Sequence, residues 1–71
     1  MRSILAKKIH ILLLKRCDKC YYVTRKELFY VIATRLGRLT FEERVCILNE
    51  LLENKVITGY DRYGVFLNQP Q

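Results

Sequence analysis

The sequence predicts an α+β fold: three helices, a short strand before the second, and a β-hairpin at the C-terminus. Three observations predict it. Thr24-Arg25-Lys26-Glu27 and Thr40-Phe41-Glu42-Glu43 both have the capping-box pattern that starts a helix. The apolar spacing changes after Lys55 from helical to that of extended chain. The polar turn Asp61-Arg62-Tyr63-Gly64 separates two runs rich in β-branched and aromatic residues.

Taken in order, Ser3 caps a first helix running to about Arg16, whose Leu5, Ile9, Leu12 and Leu13 recur at the spacing of one buried face. Ile4, Ile11 and Leu14 form a second apolar stripe among Lys7, Lys8 and Lys15. On so small a domain that stripe is expected to be a subunit contact, a symmetric homodimer interface. Asp18-Lys19 breaks the chain, and Tyr21-Tyr22-Val23 suits one edge strand. The second helix starts at Thr24, turns Leu28, Phe29, Ile32, Ala33 and Leu36 inward, and stops at Gly37, the expected left-handed residue. The third runs from Thr40 to about Asn54 with Phe41, Val45, Leu48, Leu51 and Leu52 on its buried face. Val56–Tyr60 and Val65–Asn68 are the hairpin strands, with Gly64 expected at a positive φ, and Asn68 to Gln71 reads as a loose tail.

With 71 residues the chain holds one domain, residues 1–71. Its 51% hydrophobic and 28% charged content is that of a globular chain and excludes disorder. Thirteen Lys and Arg against seven Asp and Glu leave +6, which favours a polyanionic partner. The distribution is uneven. Met1 to Leu39 holds ten basic and two acidic residues, net +8, and Thr40 to Gln71 three and five, net −2. No apolar run is long enough for a membrane span, and Lys7 and Lys8 interrupt any signal-peptide core. A soluble, intracellular protein is expected. An odd count of three cysteines agrees, because it does not describe a disulfide framework.

Cys17-Asp18-Lys19-Cys20 is a C-x-x-C pair, and His10 and Cys46 would complete four zinc ligands. A second paired motif is missing, so free thiols are expected over a metal site, with a Cys17–Cys20 disulfide as a third possibility. No cofactor is expected. Catalysis has little to work with: one histidine, three glycines, no nucleophile elbow and no phosphate-cradling loop. Neither enzyme activity nor a small-molecule substrate is expected.

The segment Ile47-Leu48-Asn49-Glu50-Leu51-Leu52-Glu53-Asn54-Lys55-Val56-Ile57, leading into a hairpin, resembles the winged helix-turn-helix family. The resemblance covers Ser3 to Asn68 and is most specific at Leu48-x-x-Leu51-x-x-x-Lys55-x-Ile57; the small basic form is similar to those of archaeal viruses and plasmids. It implies that Thr24–Leu36 is a supporting helix, Thr40–Asn54 a recognition helix and Asp61–Gly64 the tip of a wing. It also implies a double-stranded DNA partner and a DNA-binding transcriptional regulator acting as a dimer. The DNA-facing candidates are Arg25, Lys26, Arg35, Arg38, Thr40, Glu43, Arg44, Asn49, Arg62 and Tyr63.

One feature departs from the family pattern. Helical projection of the third helix puts Glu42, Glu43, Cys46, Asn49, Glu50 and Glu53 outward, where carboxylates repel phosphate. Either only its first turn enters a groove, or DNA lies against Arg25, Lys26, Arg35, Arg38 and the wing. Two other functions stay open: a protein-interaction module using the acidic helix, and a nonspecific architectural DNA binder.

Overall fold

The structure, a computed structural model, describes residues 3–70; Gln71 at the end of the expected tail lies outside them. The element order is α1 (Ser3–Leu14), β1 (Tyr22–Thr24), α2 (Arg25–Leu36), α3 (Phe41–Glu53), β2 (Ile57–Tyr60) and β3 (Gly64–Leu67). The three strands form one antiparallel sheet in the order β1-β3-β2. This is an α+β fold with a winged-helix-like layout, in which the hairpin returns to pair with the strand that precedes α2.

Each helix gives one arc to the core. Ala6, Ile9 and Leu13 come from α1, Leu28, Val31 and Ile32 from α2, and Ile47, Leu48 and Leu51 from α3. They close over Val23, Val65 and Leu67 on the inner face of the sheet, with Val56 and Ile57 at its end. Burying such aliphatic side chains at about 1.5 to 3 kcal/mol each is the main force holding so short a chain together.

The arcs of α2 and α3 are rotated by about one position from those expected. In α2, Val31 takes the place given to Ala33 and Leu36, which are exposed. In α3, Ile47 takes the place given to Phe41 and Val45, and Phe41 is 75% exposed. Both helices carry apolar residues on either side of their central core positions, so helical spacing fits two adjacent arcs equally well.

The helix ends are more varied than the motifs predict. Thr40 and Glu43 form the full capping box, Glu43 N–H donating to Thr40 Oγ1 at 3.2 Å and Thr40 N–H to Glu43 Oε1 at 2.9 Å. At α2 only half of the box forms. Thr24 Oγ1 accepts from Glu27 N–H, while the Glu27 carboxylate pairs with Arg16 at 3.3 Å. Lys55 ends α3 with φ 59°, a left-handed residue that the sequence reading did not mark. Its N–H donates to the Leu52 carbonyl and that of Val56 to the Leu51 carbonyl, the Schellman arrangement with lysine in the usual glycine position. Asn68 is no part of a loose tail. Its N–H donates to the Val56 carbonyl, its side-chain amide to the Lys55 carbonyl, and its own carbonyl lies 2.8 Å from His10 Nε2.

Gly37 has a positive φ of 78°, as expected, but Gly64 does not. Glycine is needed at position 64 for space, because a Cβ there would strike the Val23 carbonyl and sit 2.7 Å from Tyr22 Cζ. Gly64→Ala is therefore expected to cost about 1 to 3 kcal/mol by overpacking. Gly59→Ala, whose Cβ meets nothing within 4 Å, is expected to stay within about 0.5 kcal/mol of the parent. Urea denaturation of the two variants checks the pair, and equal midpoints would remove the steric account.

Candidate nucleic-acid interface

The wing is organised by Asp61. Its Oδ1 accepts from the Tyr63 N–H at 2.8 Å, the Gly64 N–H at 2.9 Å and the Tyr22 hydroxyl at 3.1 Å. Its carbonyl accepts Arg25 Nη2 at 2.9 Å and Nε at 3.1 Å, and the Arg25 backbone N–H donates to the Tyr63 carbonyl. The first residue of α2 is thus joined to the wing turn at three points. The amides of Tyr63 and then Gly64 hold the Asp61 carboxyl below the ordinary carboxylate range, against an opposing desolvation. Partial desolvation, and then the hydrogen bond to Asp61, push the Tyr22 hydroxyl above the ordinary tyrosine range.

From this junction a basic, aromatic strip runs along the side of α2. Arg25, Lys26, Phe29, Tyr30 and Arg44 line one open cleft, and Phe29, Ala33, Gly37, Arg38, Leu39 and Arg44 line the next. The guanidinium groups are laid on rings: Arg44 over Phe29 at 5.1 Å, Arg25 over Tyr60 at 5.8 Å, Arg62 over Tyr63 at 5.4 Å and Arg16 over Tyr30 at 5.1 Å. Such stacking limits the freedom of a long side chain, and in Arg25 and Arg16 the N–H groups are engaged as well, by the Asp61 carbonyl and the Glu27 carboxylate.

The other flank of α3 is opposite in character. Leu36, Leu39, Cys46 and Ile47 floor a cleft of about 410 Å³ rimmed by Glu42, Glu43 and Glu50. The Thr40 backbone N–H, and then its hydroxyl, hold the Glu43 carboxyl below its ordinary range. Leu39 lines both clefts, so the carboxylates and the basic strip lie on either side of the turn between α2 and α3.

The sequence-derived candidates therefore separate. Arg25, Lys26, Arg38 and Arg44 share the strip, and Arg62 and Tyr63 are exposed at the wing tip. Arg35 is exposed in the last turn of α2 and Asn49 in the middle of α3. Thr40 and Glu43 serve as each other's helix cap. Asp61, Phe29 and Tyr30 were not among the candidates. An Asp at the first position of a turn that ends in Gly was the available signal for Asp61.

Ile4 and Ile11 are 69% and 55% exposed on α1, whereas Leu14 is half-buried against the core. The Cys17 thiol donates to the Leu14 carbonyl at 3.2 Å, and Cys17, Cys20 and Cys46 are free thiols. Among the described residues no three His, Cys, Asp or Glu side chains converge as metal ligands, and no helix is long and apolar enough to cross a membrane. No family model matches the sequence, and no characterised protein or solved structure matches it.

Both depressed carboxyls imply acid sensitivity. A group whose folded pKa lies below its unfolded value stabilises the fold above the unfolded pKa, about 3.9 for Asp and 4.3 for Glu, and loses that contribution as pH falls through the folded value. The melting temperature is expected to drop as pH falls from about 5 to 2, and to drop less in Asp61→Asn. Parallel curves for parent and variant would remove Asp61 from this role.

Proposed function

We propose that the chain binds double-stranded DNA through the basic strip of α2 and the wing, and acts there as a transcriptional regulator. The observation that carries the reading is the segregation of charge across the Leu39 turn. Lys26, Arg38 and Arg44 lie on one side with Arg62 at the wing tip, and Glu42, Glu43 and Glu50 of α3 rim the opposite cleft. A phosphate backbone following the strip would meet cations and aromatic rings without facing Glu42 or Glu43. Arg25 serves a second purpose: bound to the Asp61 carbonyl, it sets the wing beside α2, so that strip and wing tip act as one surface.

Phosphate contacts position a protein, and base contacts give it sequence preference. On α3 the exposed Asn49 is the side chain suited to a bidentate contact with adenine. Exposed Val45 and Phe41, one and two helical turns before it, are suited to thymine methyl groups. The acidic cleft favours a second reading, a protein-docking surface, which is compatible with DNA binding because the two surfaces are distinct.

Binding to random duplex and to DNA from upstream of the chain's own coding region, measured across salt concentrations, tests the proposal. Lys26→Ala, Arg38→Ala and Arg62→Ala are each expected to weaken binding to both duplexes alike, flattening the slope of log K against log salt by about 0.9 per lost contact. Asn49→Ala is expected to leave the slope unchanged and to reduce the preference between duplexes by about 1 to 3 kcal/mol. Unchanged affinity in all three basic variants would leave the strip as solvated surface and the DNA reading without support.

A further inference from the structure

At the base of the hairpin, the opposite end of its strands from the wing tip, α1 faces the end of α3 and the segment after β3 across an open cleft of about 430 Å³. That volume falls in the range of small-molecule sites, roughly 300 to 1,000 Å³. Lys7, His10, Ile11 and Leu14, at helical spacing along one side of α1, form one wall, and Lys55 and Asn68 lie on the other. The lining includes two lysines and a histidine but no carboxylate. Its apolar part is Leu14, half-buried against the core, and Ile11, which is 55% exposed.

The walls are held in place by hydrogen bonds. The Asn68 carbonyl accepts from His10 Nε2 at 2.8 Å, and the Asn68 side-chain amide donates to the Lys55 carbonyl at 3.0 Å. The Asn54 side-chain amide donates to the Glu50 carbonyl at 2.8 Å. The carbonyls of Glu50, Leu51 and Leu52 also accept the backbone N–H groups of Asn54, Val56 and Lys55, which blunts the negative end of α3 where it borders the cleft. Among the described residues neither Lys7 nor Lys55 has an ion-pair partner, so their charges are not neutralised within the chain.

We propose that this cleft binds a small amphipathic carboxylate, an alkyl or aryl acid, with its apolar body on Ile11 and Leu14 and its carboxylate met by Lys7 and Lys55. Each half of such a ligand answers one half of the lining. An inorganic anion would leave Ile11 uncovered, a neutral apolar molecule would make no use of the lysines, and a cation would be repelled. Exposed ammonium groups on an open cleft imply weak binding, with a Kd on the order of a millimolar for a ligand of about a dozen non-hydrogen atoms. The inference does not rest on DNA binding, because this cleft and the basic strip share no lining residue.

Titration of the whole chain with 4-phenylbutanoate, without DNA, followed by the NMR shifts of the backbone amides, tests it. Saturable shifts are expected at Ile11, Lys55 and Asn68. Acetate, which has the charge without the body, and 4-phenylbutanamide, which has the body without the charge, are each expected to bind at least about fivefold more weakly. Lys55→Gly removes one cation and suits the φ of 59° at that position, so the fold is retained. Lys7→Gln alters an exposed side chain on α1 and keeps a good helix former there. Each is expected to weaken binding about threefold and the double variant about tenfold, the scale of exposed ion pairs. Ile11→Gln is expected to weaken the acid while leaving acetate unaffected. Absence of saturable binding up to about 20 mM would overturn the proposal. So would acetate or the amide binding as tightly as the acid, the mark of an adventitious anion only or of an unspecific apolar contact. Unchanged affinity in the double lysine variant, or shifts centred on Arg25, Lys26 and Arg44, would overturn it too, since the carboxylate would then sit elsewhere.

Discussion

The position of the hairpin depends on one residue, Asp61. Its carboxylate closes the turn onto the Tyr63 and Gly64 amides and reaches the Tyr22 hydroxyl, while its carbonyl holds the Arg25 guanidinium. Those contacts tie β1 and the adjoining start of α2 to the hairpin, 36 to 39 residues further along the chain. The Gly64 position adds a steric condition, since only a residue without Cβ lets β3 pass so close to Val23 and Tyr22. The ring of Tyr22 then packs on Phe66 at 4.9 Å between centroids, extending the same junction across the outer face of the sheet.

A similar device recurs at the far end of the chain. The Lys55 turn ends α3, and Asn68 binds the carbonyls of Lys55 and Val56 while contacting His10 on α1. The hairpin is therefore fixed at both ends by side chains, and between them by Val65 and Leu67 in the core. This division of labour suits a short chain. Apolar burial supplies the driving force, and a few polar contacts choose which arrangement is adopted.

The fold was legible in the sequence because it is written in local signals: capping Thr residues, the Gly37 break and the change of period after Lys55. What was not legible was rotational or distant. Helical spacing fitted two neighbouring arcs on α2 and α3, and the tertiary packing of the common core selects Val31 and Ile47. Glu27 satisfied the capping pattern, yet a cation eleven residues earlier in the chain, Arg16, took its carboxylate. Of the candidate surface, the basic residues were visible as a charge imbalance between the two halves. Their segregation from the α3 glutamates was not, because it depends on how the turn around Leu39 orients α3 against α2. Lys55 was missed since glycine is the residue expected in a left-handed helix end, and lysine gives no such signal.

The sheet has two open edges, and both are poor templates for another strand. β1 is three residues long and passes directly into the cap of α2. β2 is interrupted between Ile57 and Gly59, where the pairing with β3 skips a residue and throws the strand out of register. Irregular, short margins of this kind discourage edge-to-edge pairing between chains, the usual route from a small β-containing domain to insoluble aggregate. Growth by strand addition is therefore disfavoured at both margins of the sheet.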